Sequence, residues 1–317
     1  MAQPRIVQLN PGAQVERWVI RKKLGEGGFG AVFKVSDSSG EYAMKVEGVH
    51  EQIQLLKMEV LVLADLNKRG NRHCCKIADQ GRFANFNYVV MTLVGRSLHD
   101  LRKESPSQTL SMGTSISCGI QCLEALEDLH GLGYIHRDVK PGNYAIGRSE
   151  INEQRKVYIL DFGMCRKFTD DYGVIRKPRQ AAAFRGTVRY APLACHYQRE
   201  LARKDDIESC VYMIIEMATA RLPWRTIQDI NEIGAYKKRC RQESHSKELF
   251  GCMPPEFVQI MQSIDSLKFY DTPKYQMLYV LMRRAIITAG AQEFPYDWEK
   301  PMSFLKTAPT AASASKV

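Results

Sequence analysis

The sequence predicts an α+β fold in two lobes: a small antiparallel β-sheet with one helix, followed by a larger and mainly helical part. From Trp18 to Val46, β-branched and aromatic runs alternate with a glycine-rich stretch and with the turn-forming residues 37–40, which indicates consecutive antiparallel strands. Apolar residues recur at helical spacing over residues 111–130 and 206–220, which predicts two long buried helices. The 317 residues of the chain are enough for a core divided between two lobes.

The composition is that of an ordinary globular protein, with 44% hydrophobic and 25% charged residues. No apolar run approaches the roughly 18 residues that a membrane helix needs, so no membrane partner is expected. No signal-like apolar segment follows Met1, and the nine cysteines show no zinc-ligand spacing. We therefore expect reduced thiols in a cytoplasmic protein, with the nucleus as a second location.

The net charge of +10 favours acidic or phosphorylated partners. Basic residues are concentrated between Arg176 and Arg189, but the chain has no zinc finger, no aromatic RNA-binding signature and no long Lys/Arg tail. No nucleic-acid partner is therefore expected, although a basic surface without a dedicated partner would also account for the charge.

Three regions are predicted along the chain. Residues 1–13 carry prolines and no periodicity, which indicates a flexible leader. Residues 14–300 form the structured domain, with a smaller N-lobe at 14–94 and a larger C-lobe at 95–300. The Ala/Ser/Thr-rich residues 301–317 are expected to be a disordered tail.

The glycine-rich stretch Gly25-Glu26-Gly27-Gly28-Phe29-Gly30 is predicted to bind phosphates. The same spacing occurs in dinucleotide-binding folds, where the glycines open a helix. Here they are followed by Ala31-Val32-Phe33, a β-branched and aromatic run that favours a hairpin. In such a hairpin, glycines allow backbone amides to lie close to a phosphate group.

Lys45 and Glu59 are predicted to form an ion pair. Residues 51–66 show a helical pattern with the apolar stripe Ile53, Leu56, Val60 and Leu63. Glu59 shares that inward face, and burying an unpaired charge is costly, so Lys45 on the third strand is its expected partner.

Two polar motifs follow the first long helix. The first is His136-Arg137-Asp138-Val139-Lys140-Pro141-Gly142-Asn143, and the second is Asp161-Phe162-Gly163. A single such triplet is more often a polar loop between buried elements, but the two in this order resemble the protein kinases. The resemblance implies a bilobal kinase fold that uses ATP and Mg²⁺, with Asp138 as the catalytic base and with Asn143 and Asp161 as magnesium ligands.

The resemblance also implies roles for four other residues. Lys45, paired with Glu59, would contact the α- and β-phosphates. Lys140 occupies a position that bears lysine in Ser/Thr kinases, where it steadies the transferred phosphoryl group. Thr187 would contact Asp138 and Lys140, as the matching threonine does in those enzymes.

The strand Tyr88–Val94 is similar to the hinge between kinase lobes. By this resemblance Met91 is the gatekeeper, and the Thr92 carbonyl and the Val94 amide contact adenine, although a core strand without a ligand remains an alternative. The nucleotide is expected to contact Leu24, Gly25, Glu26, Gly27, Gly28, Phe29, Gly30, Val32, Ala43, Lys45, Met91, Thr92 and Val94.

The segment Phe184–Leu193 departs from the common kinase pattern, because Leu193 stands where Ala-Pro-Glu has its glutamate. Another anchor must therefore hold this segment. Together with Asp205-Asp206-Ile207-Glu208-Ser209 and Leu222-Pro223-Trp224, it resembles the casein kinase I superfamily, and most closely the tau-tubulin kinases. The resemblance extends from about Val15 to Glu299.

This branch implies protein substrates that are acidic or already phosphorylated. The candidates for a substrate anion pocket are Arg185, Arg189, Lys238 and Arg239, because guanidinium groups suit phosphate. Arg189 could equally be an ion-pair anchor for the segment. Asp206 is expected to bond the backbone of the catalytic loop.

Three functions remain open at this point. An active Ser/Thr protein kinase is favoured, acting as a monomer, and a pseudokinase scaffold is the main alternative. An enzyme that phosphorylates a small molecule is the third. Arg137 beside Asp138 is typical of kinases activated by phosphorylation, for which Thr169, Tyr172 and Thr187 are the candidate sites, but constitutive activity is expected for this branch.

Overall fold

The computed structural model describes residues 6–27, 30–51 and 53–299. Within them, the chain folds into a six-stranded antiparallel sheet with one helix, followed by a mainly helical lobe. The predicted α+β bilobal fold is thereby confirmed. Residues 1–5, 28–29, 52 and 300–317, which include the start of the predicted leader and the predicted tail, lie outside the described residues.

The N-lobe sheet has the strand order β1-β2-β3-β4-β6-β5. Alternate residues along most of β3 are buried, as expected for a strand with one face on the core, whereas β4 has buried residues on both of its faces. Helix α1 packs beside the sheet through Leu56, Glu59, Val62, Leu63 and Leu66. The elements are β1 Gln14–Val15, β2 Trp18–Gly27, β3 Gly30–Asp37, β4 Gly40–Gly48, α1 Leu56–Lys68, β5 Ile77–Phe83 and β6 Phe86–Thr92.

Two predictions for the N-lobe need correction. The helix expected over residues 51–66 begins only at Leu56, and Ile53 lies before it with 50% exposure instead of on the inward stripe. The expected flexible leader 1–13 is packed from residue 6 onwards: Ile6 and Leu9 contact the apolar core of the sheet, and the Gly12 amide donates to the Ile20 carbonyl at 2.8 Å. These apolar residues pack on the sheet although the prolines and the lack of periodicity in this segment indicate no regular structure.

The C-lobe is built around two long helices, α3 Met112–Gly131 and α5 Arg203–Thr219, as the apolar periodicity predicts. Both are almost wholly buried, because other helices cover them on several sides. The remaining helices are α2 Leu98–Glu104, α4 Leu193–His196, α6 Ile230–Arg239, α7 Glu243–Phe250, α8 Glu256–Asp265 and α9 Tyr275–Thr288.

Four short strands lie at the boundary between the lobes. Strand β7 (Tyr134–Ile135) pairs with β10 (Arg166–Lys167), and β8 (Tyr144–Ile146) pairs with β9 (Val157–Ile159). These pairings place the loops that contain the two polar motifs next to each other. No helix in the described ranges is both long and apolar enough to cross a membrane.

Candidate active site

Lys45 joins the two lobes by ion pairs. Its Nζ pairs with Glu59 of α1 and lies 2.9 Å from Oδ1 of Asp161. Burial opposes a charge on Lys45, but the two carboxylates outweigh it and raise the pKa of the amine above its ordinary value. A charged amine is therefore held between the lobes, with Asp161 of the second motif beside it.

Asp138 is the centre of a hydrogen-bonded cluster. Its Oδ2 lies 2.6 Å from Nζ of Lys140, and its Oδ1 accepts from Oγ1 and the amide of Thr187 at 2.8 and 2.9 Å. Lys140 also donates to Oγ1 of Thr187 at 3.2 Å. The side-chain amide of Asn143 donates to the Asp138 carbonyl at 2.9 Å. The structure thus brings together four of the predicted catalytic residues.

Asp206 accepts hydrogen bonds from the backbone of the catalytic loop, as predicted. Its Oδ2 accepts from the His136 amide at 2.7 Å, and its Oδ1 accepts from the Arg137 amide at 2.9 Å. Nε2 of His130 lies 2.8 Å from the same Oδ2. Burial opposes the charge, but the bond from His130 prevails and lowers the pKa of Asp206. Arg137 has a φ of 69°, a conformation that these bonds stabilise.

The glycine-rich hairpin leaves room above the cleft. A Cβ added to Gly25 or Gly27 would meet no atom within 4 Å, whereas a Cβ on Gly30 would lie 2.1 Å from the Val46 carbonyl oxygen. Gly30 is therefore required by the fold, and the first two glycines border the space that a phosphate chain would occupy. Of the other predicted contacts here, Gly28 and Phe29 lie outside the described residues.

The two remaining predicted contacts of the hairpin are on its outer part. Leu24 is 46% exposed, and the carboxylate of Glu26 is paired with Lys23. Leu24 can therefore cover a ligand from above, while the side chain of Glu26 is directed to its neighbour on the same strand.

The expected adenine pocket is lined by apolar residues of the N-lobe. Ala43 and Met91 are buried and face each other across β4 and β6, and Val32 and Val94 pack against the same core cluster. Thr92 bonds the backbone of residue 76 through its side chain and amide, and the Val94 amide makes no hydrogen bond within the described part of the chain. That amide is free to bind a planar ligand edge.

Asn143 and Asp161 provide oxygen atoms suited to Mg²⁺. The bond from Nδ2 of Asn143 to Asp138 fixes which side of the amide carries the oxygen. Asp161 uses Oδ1 for Lys45, and 41% of its side chain is exposed. Among the described residues no group of three or more His, Cys, Asp or Glu forms a metal site alone. The donor set therefore fits an ion that takes its remaining ligands from phosphates and water.

Buried glutamates of α5 anchor the segment that lacks the Ala-Pro-Glu acid. Oε1 of Glu208 accepts from the Leu193 amide at 3.1 Å and pairs with Arg241 at 2.7 Å. Glu216 pairs with Arg189 at 2.9 Å and accepts from the Tyr190 hydroxyl. The acid that is missing at residue 193 is thus supplied by α5.

The four candidates for a substrate anion pocket are not joined into one site by the contacts of the described residues. Arg185, Lys238 and Arg239 are exposed, and Arg239 pairs with Glu248 at 3.3 Å. Arg189 remains 41% exposed while it pairs with Glu216, which agrees with the alternative of an anchor.

Four charged residues with a structural part in the site were missed by the sequence reading. Glu208 and Glu216 stand in an otherwise apolar helix, and that is a signal, because a buried acid requires a partner. Glu47 bonds the amides of Leu55 and Leu56 in the next element, Lys237 bonds carbonyls 46 and 49 residues away, and no sequence motif marks either residue.

Comparison with known proteins agrees with this geometry. The protein kinase domain family model matches residues 18–268. A probable serine/threonine-protein kinase of Dictyostelium discoideum is 37% identical over 286 residues, which are 89% of this chain and 56% of the relative. A putative serine/threonine-protein kinase of Caenorhabditis elegans is 37% identical over 300 residues, 92% of this chain and 84% of the relative. A putative casein kinase I of the same organism is 33% identical over 306 residues, 94% and 89% of the two chains.

A sheet with a glycine-rich hairpin, a lysine–glutamate pair and two acidic loops facing it define a nucleotide-dependent phosphotransferase site. The chain belongs to the protein kinase family, and two of the relatives above are named as a probable and a putative Ser/Thr kinase. This family uses ATP, usually with Mg²⁺. The chain spans little more than half the length of the Dictyostelium relative.

Proposed function

We propose that the chain transfers the γ-phosphate of ATP to Ser or Thr hydroxyls of protein substrates. The cluster of Asp138, Lys140 and Thr187 carries this proposal. It combines a carboxylate that can accept a proton with a cation 2.6 Å away that can stabilise charge on a phosphoryl group. Small molecules are a weaker alternative, because the exposed residues 176–181 and Arg185 precede Thr187 and give a protein chain a surface to contact.

Each residue has a defined task in this proposal. Asp138 accepts the proton of the substrate hydroxyl, and Thr187 fixes the orientation of the carboxylate through two bonds to Oδ1. Lys140 is placed to neutralise charge on the transferred group, and Lys45 contacts the remaining phosphates. Asn143 and Asp161 would hold Mg²⁺, which supplies charge neutralisation on the phosphates when it is bound.

We further propose that the enzyme is of casein kinase I type, close to the tau-tubulin kinases, and that it prefers acidic or phosphorylated substrates. The net charge of +10 and the exposed Arg185 support this preference. The segment without the Ala-Pro-Glu acid and the similarity to a putative casein kinase I support the branch.

Arg189 tests the substrate preference. If its exposed part binds phosphate, then Arg189→Ala weakens phosphorylation of a phospho-primed peptide more than that of the unprimed peptide. Equal losses on both peptides would favour the anchor role, in which Glu216 is its partner at 2.9 Å. Glu216→Gln is the matched control, because it removes the ion pair and keeps Arg189.

A scaffold that binds nucleotide without transferring phosphate is the second candidate. The ion pairs of Lys45 with Glu59 and Asp161 oppose it, and so does the bond from Asn143 to Asp138, because no residue of the predicted catalytic set is missing. Transfer of radiolabelled phosphate to casein and to an acidic tubulin-like protein decides between the two. Magnesium-dependent nucleotide binding without any transfer would establish the scaffold.

A further inference from the structure

Lys237 is a buried cation directed at the segment that follows Thr187. It lies on α6 with 0% exposure, and its Nζ donates to the carbonyls of Val188 at 2.9 Å and Ala191 at 2.7 Å. Nε2 of His196 lies 3.1 Å from the same nitrogen. The other nitrogen of His196 is 2.9 Å from the Ile230 carbonyl, which can only accept, so Nε2 carries the free lone pair. All three N–H groups of the ammonium ion therefore have an acceptor.

No carboxylate pairs directly with this cation in the described part of the chain. Glu208 attracts the Lys237 charge without a direct ion pair, because its carboxylate is paired with Arg241. The faces of Tyr212 and Trp224 lie 5.2 and 5.1 Å from the ammonium nitrogen and provide partial compensation. A buried charge is costly when its compensation comes from neutral groups, and an apolar side chain would fill this position at lower cost.

Helix α6 packs closely against α4, and this packing independently supports a defined position for Lys237. Gly234 lies one helical turn before Lys237, and a Cβ on it would come within 2.9 Å of the Cβ of His196. A larger residue at 234 would therefore push α6 away from α4 and withdraw Lys237 from the two carbonyls. The glycine at position 234 thus allows the close packing of α6 on α4 that places Lys237 beside the carbonyls of Val188 and Ala191.

The segment that Lys237 holds borders the catalytic cluster. Val188 follows Thr187, whose hydroxyl donates to Asp138 at 2.8 Å, and Ala191 precedes α4 by two residues. We propose that Lys237 is a positioning residue for the protein substrate: it fixes the carbonyls of Val188 and Ala191 and so sets the surface on which the substrate chain lies. This inference rests on the proposed function.

The contact is sensitive to protons. Burial, opposed by Glu208 and reinforced by Arg241, lowers the pKa of Lys237 to about 7. Of the other titratable groups that face it, burial lowers the pKa of His196 to about 4 and raises that of the Cys195 thiol, so both stay neutral between pH 6 and 8. A neutral amine has two N–H groups instead of three, so one acceptor loses its bond as the pH rises through about 7.

The test separates substrate binding from nucleotide binding. The KM values for ATP and for an unphosphorylated acidic serine peptide are measured from pH 6 to 8.5, a range in which peptide carboxylates do not titrate. The wild-type peptide KM should rise about three- to tenfold across this range, which corresponds to one lost hydrogen bond. Lys237→Met should raise the peptide KM at every pH and remove its pH dependence, with the ATP KM unchanged. Lys247→Met, at an exposed lysine of α7, is the control.

A wild-type peptide KM that stays flat over this range would overturn the inference, and so would an equal rise of both KM values in Lys237→Met. Should that variant fail to fold, the wild-type profile and Gly234→Ala decide the matter. Gly234→Ala should raise the peptide KM selectively. The absence of any transfer by the wild type would instead contradict the proposed function, which keeps the two failures distinct.

Discussion

Replacing Glu47 tests how strand β4 of the N-lobe positions helix α1, which carries Glu59. The Glu47 carboxylate is 3% exposed, and its Oε1 accepts from the amides of Leu55 at 2.7 Å and Leu56 at 3.2 Å, where α1 begins. Lys45 stands two residues earlier on the same face of β4 and pairs with Glu59 of α1. Strand β4 therefore holds α1 at two points, and Glu47→Gln weakens the one that is remote from the nucleotide.

The magnitude follows from these contacts. A hydrogen bond to a charged group contributes about 1.5–3 kcal/mol, and a negative charge at a helix N-terminus contributes up to about 2 kcal/mol. Burial raises the pKa of Glu47, and its Oε2 has no hydrogen-bond partner in the described part of the chain, so part of this gain is offset. A net loss of about 1–2 kcal/mol reduces the docked population of α1 about five- to thirtyfold relative to displaced states.

The assay compares kcat/KM for ATP with the thermal unfolding midpoint in Glu47→Gln and in Glu51→Gln. Glu51 is a partly exposed glutamate in the connection between β4 and α1, and it is the matched control. Glu47→Gln should lower both quantities, because α1 carries the partner of Lys45. A lower midpoint with full kcat/KM would refute the positioning role.

Two further variants probe the catalytic loop. Thr187→Ala removes a 2.8 Å bond to Asp138 and should lower kcat about tenfold, and Thr187→Ser should restore it; an equal loss in both variants would contradict the role of the hydroxyl. Asp206→Asn leaves one acceptor oxygen for the amides of His136 and Arg137, and should destabilise folding by about 2–3 kcal/mol in urea denaturation. A wild-type midpoint would contradict that assignment.

The elements that sequence reasoning predicted are those with local signals. The apolar periodicity of α3 and α5, the glycine spacing and the two polar motifs each lie within about 20 residues, and their contacts follow from the family pattern. The pairing of Lys45 with Glu59 was accessible because a charge on an apolar stripe demands a partner.

The elements that it missed depend on contacts between different elements of the chain. Helix α1 starts at Leu56 because Glu47 bonds the amides there, and residues 6–13 pack because the sheet offers an apolar face. Lys238 and Arg239 of α6 stay predictions for the substrate anion pocket, whereas the burial of Lys237 was not predicted. Ile233 and Cys240 are buried on the same face as Lys237, but two apolar residues in a polar segment are a weak signal of helical phase.

In the proposed function, Asp138 accepts the proton of a Ser or Thr hydroxyl during phosphate transfer. The direct test measures transfer of radiolabelled γ-phosphate to casein by the wild type and by Asp138→Asn, with nucleotide binding followed in parallel. The wild type should produce phosphoserine or phosphothreonine, and the variant should transfer phosphate at a rate about 10²- to 10⁴-fold lower with nucleotide still bound. Transfer by Asp138→Asn at the wild-type rate would contradict this role of Asp138.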